Sequence, residues 1–491
     1  MQQIEIAQFL DDTFGRAPRT VKAYVVLAAA VLALGACAHV PVVDEARLMQ
    51  QAEGSGKITV FGSSGPLSAR QSRRLLAQLA REAPNAGALE RHLAAEQIVA
   101  ESPLYAGNRV RILRDGSGAF PAMFDAIAGA QHSLDLEYYI FEEVESGGRK
   151  LSDLLIERSH AGVHVRVAYD AFGSLDTPAT FFDRLRAAGV QVLEYNPVNP
   201  LKAAGHYSPN MRDHRKILVA DDAIAIVGGV NLATEESAPT IEGLEAGPAK
   251  QPKAPREVWH DIAVEIRGPV VQEISRLFDE HWRAQHGAPI EAASPQRLEA
   301  AARRTEGEGR EIVRVIGSSP KRLTSRYYAT VLTAIRTAQS SIWMTAAYFV
   351  PTHQEIRGLE AAARRGVDVR ILLPSHSDIG PIIPVERSYY PGLLRAGVKV
   401  YERSDGILHS KSIVVDGVWS LIGSSNFDQR SVLSNDEVDA VILGKSTADQ
   451  LQAGLESDMR HAEPVSWTQV RSESAMDRLK GWFWRLWEQW L

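Results

Sequence analysis

A chain of 491 residues is too long for one ordinary domain and fits two or three. Its 45% hydrophobic and 23% charged residues are the mix of a soluble globular enzyme, while a formal net charge of −6 argues against a generally basic nucleic-acid binder. A single cysteine, Cys37, excludes an intrachain disulfide and a thiolate zinc site.

In chain order, Arg16, Arg19 and Lys22 precede an apolar run from Ala23 to Ala36, the n-region and h-region pattern of a secretory signal. The run ends Leu34-Gly35-Ala36-Cys37, which resembles a bacterial lipoprotein signal-peptidase site and makes Cys37 a lipidation candidate. One alternative is an uncleaved anchor, because the apolar stretch continues from Val40 to Val43 and gives roughly 20 residues if His39 is tolerated, and another is a buried core helix. The n-region is long and carries Asp11 and Asp12. The lipoprotein and anchor readings of residues 1–43 both imply an exported body held beside a bacterial membrane. Residues 44–107 read as a helical lead-in, with Leu75, Leu76 and Leu79 spaced amphipathically between Ser68 and Arg81 and a break at Pro84 to Gly87.

From about residue 108 short apolar runs alternate with amphipathic segments, the signature of an α/β unit. Strands are predicted at Val110–Leu113, Ser133–Phe141, Val163–Tyr169 and Val190–Tyr195. Helices are predicted at Phe120–Ala130, Leu151–Ala161 and Phe181–Ala188. The order then recurs. Ala126-Ile127-Ala128-Gly129-Ala130 matches Ala334-Ile335-Arg336-Thr337-Ala338, Gly162-Val163-His164-Val165-Arg166 matches Gly366-Val367-Asp368-Val369-Arg370, and Ala188-Gly189-Val190 matches Ala396-Gly397-Val398. A separation of roughly 200 residues is domain-sized rather than solenoid-sized. The chain therefore reads as two copies of one α/β unit, 108–290 and 311–465, with a polar loop from Glu235 to Glu257 in the first and a linker at 291–310. Each copy is expected to be a mixed sheet flanked by helices, with the site at their interface.

Each copy carries a histidine and a lysine two residues apart, then four residues and an aspartate: His214, Lys216 and Asp221, and again His409, Lys411 and Asp416. Strand alternation puts each His and Lys on one face. A small-residue turn ending in asparagine follows at the same distance, Gly228-Gly229-Val230-Asn231 and Gly423-Ser424-Ser425-Asn426. A hairpin would return Asn231 and Asn426, with Ser424, beside the His–Lys pairs, where they can bind an anionic phosphate oxygen. One such match is weak; two with the same spacing in the same place of a repeat are not coincidence.

These motifs resemble the phospholipase D superfamily over about residues 108–465, and within it the bacterial cardiolipin synthases. Tyr138-Tyr139-Ile140-Phe141, Tyr348-Phe349-Val350-Pro351 and Asn426-Phe427-Asp428-Gln429-Arg430-Ser431 carry the closer likeness. The resemblance implies a phosphatidyltransferase that works through a covalent phosphatidyl-histidine, with phosphatidylglycerol as donor and acceptor, phosphatidylethanolamine as an alternative donor, and no cofactor or metal. It implies His214 as nucleophile and His409 as general acid, although internal symmetry leaves that order open. Glu437 in the second half and Asp261 in the first match the carboxylates that orient the histidines. Asp221 and Asp416 read as hairpin supports rather than proton carriers. Gly229 replaces the serine that many superfamily members place there. A hydrolase releasing phosphatidic acid, a nucleic-acid phosphodiesterase and a non-catalytic binding protein are the rival readings. The acidic balance opposes nucleic acid and the two complete motifs oppose loss of catalysis.

The end of the chain, 466–491, concentrates Trp482, Phe483, Trp484, Trp487 and Trp490 with Arg478, Lys480 and Arg485. With Leu479 and Leu486 on the same face as Trp482, Phe483 and Trp490, it reads as a helix for a membrane–water boundary.

Overall fold

The computed structural model describes residues 40–54, 58–199, 208–237, 259–288, 309–320, 325–472 and 474–485. Residues 1–39, with Cys37 and most of the expected signal or anchor segment, most of the Glu235–Glu257 loop, and residues 291–308 of the expected linker lie outside them.

Two sheets of one design carry the site. The first runs Gln191–Tyr195, His164–Asp170, Ser133–Tyr138, Lys216–Ala220, Ile224–Gly228, Ile262–Arg267 and the Arg109–Arg114 end of strand Leu104–Arg114. The second repeats that order with Lys399–Arg403, Asp368–Pro374, Ser341–Thr345, Ser412–Val415, Trp419–Gly423, Asn435–Leu443 and Glu311–Ser318. In both, two parallel pairings at one side give way to antiparallel ones, as βαβ crossovers and then hairpins require. The central strands are buried along their whole length, which is why they read as continuous apolar runs rather than alternating ones. Val219, Val227 and Val264 of the first sheet meet Val313, Val414 and Ala440 of the second in one core between the sheets.

The lead-in is not wholly helical. Helices Glu45–Gly54, Ala69–Ala80 and Ala86–Ala100 are joined by strand Val60–Gly62, which pairs in parallel with Leu104 and Tyr105. Ser68 caps Ala69–Ala80, accepting from the Gln71 amide while Gln71 returns a side-chain acceptor to the Ser68 amide. The lead-in packs on the second half: Val60, Leu79, Leu89 and Leu93 share a core with Val331, Ile335 and Trp419. Beneath them Arg314 and Glu96, both fully buried, meet at 3.1 Å. Strand Leu104–Arg114 serves both sheets, pairing with Glu311–Ser318 through Tyr105 to Asn108 and with Ile262–Arg267 beyond.

At the C-terminus, helix Ala475–Arg485 lies on helix Ile382–Ala396. Gly481 allows the contact, since a Cβ there would stand 2.6 Å from the Pro384 carbonyl. Arg485 caps the Tyr389 ring at 4.6 Å. Met476, Leu479 and Phe483 remain exposed. Among the described residues no helix is long and apolar enough to cross a membrane.

Candidate active site

His214 lies two residues before strand Lys216–Ala220, and His409 three residues before Ser412–Val415. Two short bridges between the halves hold them. Arg212 and Asp213 pair in parallel with Asn435 and Asp436, so the residues that follow, His214 and Glu437, come side by side. Trp259 and His260 pair with Ile407 and Leu408, which brings Asp261 beside His409. The amides of His214 and His409 close these bridges, donating to the carbonyls of Asp436 (2.9 Å) and His260 (2.8 Å).

The orienting carboxylates are therefore crossed. Glu437 of the second half stands 3.1 Å, through both oxygens, from Nδ1 of His214 in the first. Asp261 of the first half stands 2.6 Å from Nδ1 of His409 in the second. Each half thus supplies the carboxylate that orients the other half's histidine. With Nδ1 held by a carboxylate, each ring offers Nε2 to the cavity.

Lys216 donates to the His214 carbonyl at 2.8 Å and Lys411 donates to that of His409. Both lysines are buried, as are Asn231 and Asn426. The asparagines line, with His214 and His409, one cavity of about 460 Å³ that also meets Tyr139, Trp259 and Tyr348. The Asn231 amide and side chain donate to Glu236, and the Asn426 amide donates to Ser431 at the matching position of the second half. Ser424 donates to Glu437 at 2.5 Å and thereby steadies it. No serine fits at Gly229, where a Cβ would lie 2.1 Å from an Asp261 oxygen.

Asp221 and Asp416 stand at the far ends of these strands, on the order of 20 Å along the chain from the histidines. Each turns a hairpin with a positive φ, 54° and 55°, which aspartate tolerates better than most residues. The Asp221 carboxylate accepts the amides of Gln131, His132 and Ser133, and that of Asp416 accepts those of Gln339, Ser340 and Ser341. Both fasten the loop entering the next strand, and neither is among the residues that line the cavity.

Burial depresses both imidazoles, with Lys216 and Lys411 adding to the effect at His214 and Lys411 at His409, partly offset by the carboxylates, and His214 falls to about 4. Burial also lowers Lys216, to about 7, and Lys411. Burial alone would raise Glu437 and Asp261, but the adjoining His–Lys pairs hold both below the usual carboxylate range. With the imidazoles neutral, the two lysines stand against the two carboxylates, and the lysines and asparagines remain as donors for the oxygens of a phosphodiester. Among the described residues two buried groups could offer ligands to a cation: Glu137, Asp213 and His281, and Glu236, Asp261 and His409. Each already faces a fixed positive charge, from Arg215 at 3.1 Å and Lys411 at 3.8 Å.

The sequence motifs missed Glu236, Trp259, Asp378 and the site role of Tyr139 and Tyr348. Trp259 packs its ring 4.9 Å from that of His409 and Tyr139 lies 5.1 Å from that of His214. Glu236 was legible in principle, because it follows Asn231 at the spacing by which Ser431 follows Asn426.

A profile of the family described as "Cardiolipin synthase, PLD-like domain" matches residues 123–242 and 331–459, one segment in each half. A cardiolipin synthase of Geobacillus thermodenitrificans is 35% identical over 76% of this chain and 70% of its own. Cardiolipin synthase A of Pseudomonas aeruginosa is 34% identical over 75% of this chain and 70% of its own. Among solved structures, the phosphatidylserine synthase of Haemophilus influenzae Rd KW20 covers 82% of this chain and all of its own with a TM-score of 0.58 at 12% identity, a likeness of fold. Two phospholipase D-like halves meeting at a doubled His–Lys site, with this ancestry, make the chain a phosphatidyltransferase of the cardiolipin synthase family.

Proposed function

We propose that the enzyme moves a phosphatidyl group from one phosphatidylglycerol to the head-group hydroxyl of another, making cardiolipin and glycerol. The observation that carries this is the opening of two carboxylate-held imidazoles, one from each half, into a single cavity with an asparagine and a lysine beside each. Nε2 of neutral His214 attacks phosphorus as the bond to the glycerol oxygen breaks, and His409 gives that oxygen its proton. The second lipid's hydroxyl then returns a proton to His409 while its oxygen attacks phosphorus, and the phosphorus–nitrogen electron pair goes back to His214. Lys216, Lys411, Asn231 and Asn426 stabilise the charge that gathers on the phosphoryl oxygens. The diacylglycerol oxygen stays on phosphorus throughout.

The protein meets its lipids at a membrane surface. Phe172 lines the cavity, Leu175 is exposed just beyond it, and the exposed side chains of helix Ala475–Arg485 sit on the helix that begins three residues after cavity residue Ile379. Incubation with phosphatidylglycerol alone tests the reading: cardiolipin and glycerol are expected, and phosphatidic acid in their place would make the enzyme a hydrolase. His214→Ala and His409→Ala are each expected to abolish product, and a chelator to leave turnover unchanged. Turnover retained by either alanine variant would refute the two-histidine scheme.

A further inference from the structure

The cavity's two sides are related by the internal repeat yet differ chemically. Aligning the paired strands sets Ile140 against Tyr348 and Ser174 against Asp378. Ser174 is buried and bonded to backbone, donating to the Tyr139 carbonyl and accepting from the Phe141 amide, each at 3.1 Å. Asp170 fastens the same loop by accepting the amides of Phe172 (2.8 Å) and Gly173 (3.0 Å). Its counterpart, Pro374, has no carboxylate. Apart from the Tyr139 phenol beside His214, the first side presents Ile140 and Phe172, while the second presents the Tyr348 phenol together with an exposed carboxylate, which the first side lacks at the matching position. Tyr348 donates to both Asp378 oxygens at 3.0 Å, and Ser377 donates to one of them. The Tyr348 ring lies 5.9 Å from that of His409.

We propose that Tyr348 and Asp378 form the subsite for the hydroxyls of an uncharged polyol head group, the alcohol that His409 protonates on leaving and deprotonates on entering. The inference deepens the transfer reading and rests on it. A carboxylate offers about four acceptor positions, and the phenol oxygen, its proton committed to Asp378, offers lone pairs as well. The ligand must therefore bring donors. A glycerol head group has two free hydroxyls, one for each acceptor group. An ammonium head group would bring donors too, but Arg430 lines the same cavity and repels it, while Arg212 is paired with Asp170 at 3.5 Å. Arg430 is held by the neutral side chain of Asn210 at 2.9 Å, so this bond leaves its charge uncancelled. The apolar side, with Ile140 and Phe172, suits the diacylglycerol. Placing the departing alcohol beside His409 makes that residue the proton donor and leaves His214 to attack, which breaks the symmetry of the two motifs.

The test supplies the full-length enzyme with phosphatidylglycerol in detergent micelles and deuterated glycerol, and measures labelled phosphatidylglycerol against phosphatidic acid. Both products arise from one phosphatidyl-histidine, and only glycerol uses the subsite, so their ratio does not depend on how much protein is folded. The wild type is expected to exchange glycerol at least tenfold better than ethanolamine. In Asp378→Asn the ratio of phosphatidic acid to labelled lipid rises at least tenfold and the preference for glycerol disappears; Tyr348→Phe shifts the ratio about threefold the same way. A ratio within twofold of wild type in both variants overturns the subsite while leaving the transfer reading intact. A wild-type preference for ethanolamine that Asp378→Asn removes overturns the assignment to an uncharged polyol. Absence of any exchange by the wild type overturns the transfer reading and the subsite with it.

Discussion

At the scale of single residues, the protonation of the site sets its working pH. His214 binds its proton only near pH 4, because burial and the lysines oppose a further positive charge, and His409 is also held below the ordinary histidine value. The free enzyme at pH 7 therefore has both imidazoles neutral, while the scheme needs a proton on His409. The ratio kcat/KM reports the free enzyme. It should rise as pH falls toward the lowered pKa of His409, then collapse as His214 gains its own proton near pH 4. On the alkaline side Lys216, lowered to about 7, loses its charge and the phosphoryl oxygens lose a stabilising cation. The expected profile is a bell lying between about pH 4 and 7, on the acid side of an unperturbed histidine. Initial rates on micellar phosphatidylglycerol from pH 4 to 9 check this, and a maximum above pH 8 contradicts it. None of this was legible in the sequence, where a histidine and a lysine two apart give direction but not burial.

At the scale of elements, the active site is assembled by the bridges Arg212–Asp213 with Asn435–Asp436 and Trp259–His260 with Ile407–Leu408. The strands that begin at Lys216 and just after Lys411 were legible because Ile217-Leu218-Val219 and Ile413-Val414-Val415 are apolar runs. Two-residue bridges have no period to read, so the crossed pairing of carboxylate and imidazole was invisible although Asp261 and Glu437 were both picked out. The hairpins were legible from their small residues, yet the reason for Gly229 lay in a carboxylate more than thirty residues away. Asp261→Asn leaves the shape but presents His409 with an amide, and a comparable change at a histidine-orienting aspartate costs about 10⁴ in kcat. A loss of about 10²–10⁴-fold in kcat is expected here. Gly229→Ala should act through the same contact, since its Cβ must push the Asp261 carboxylate aside, and a displacement near 1 Å costs about 10²-fold. Steady-state rates on both variants, beside a thermal melt, separate this from misfolding. If Gly229→Ala keeps wild-type kcat, the close approach of Asp261 does not govern the position of His409.

At the scale of the whole molecule, the repeat predicted two matching sheets, and the structure has them in the same strand order. The lead-in was legible as helices but not as part of the second half, because its partners lie more than two hundred residues away. Glu96 faces Arg314 with neither exposed, and it also accepts from Trp419 at 3.1 Å. Glu96→Ala would leave a guanidinium buried without its counter-charge and should destabilise the fold by about 3–5 kcal/mol, read by urea unfolding. A loss under about 1 kcal/mol would mean that the lead-in does not share the second half's core. The opposite end of the chain turns outward. Leu479 is 51% exposed and Phe483 37%, on a helix whose other side is fixed by Gly481 and Arg485, so charging them should spare the fold. Burying an apolar side chain of this size in a lipid surface contributes about 1.5–3 kcal/mol. Leu479→Glu with Phe483→Glu should therefore reduce turnover of phosphatidylglycerol in vesicles at least tenfold. A short-chain phosphatidylglycerol presented as a monomer, which needs no surface, should be turned over as before. Equal losses on both substrates would place these side chains in the service of the fold, and no loss on either would remove the helix from membrane contact.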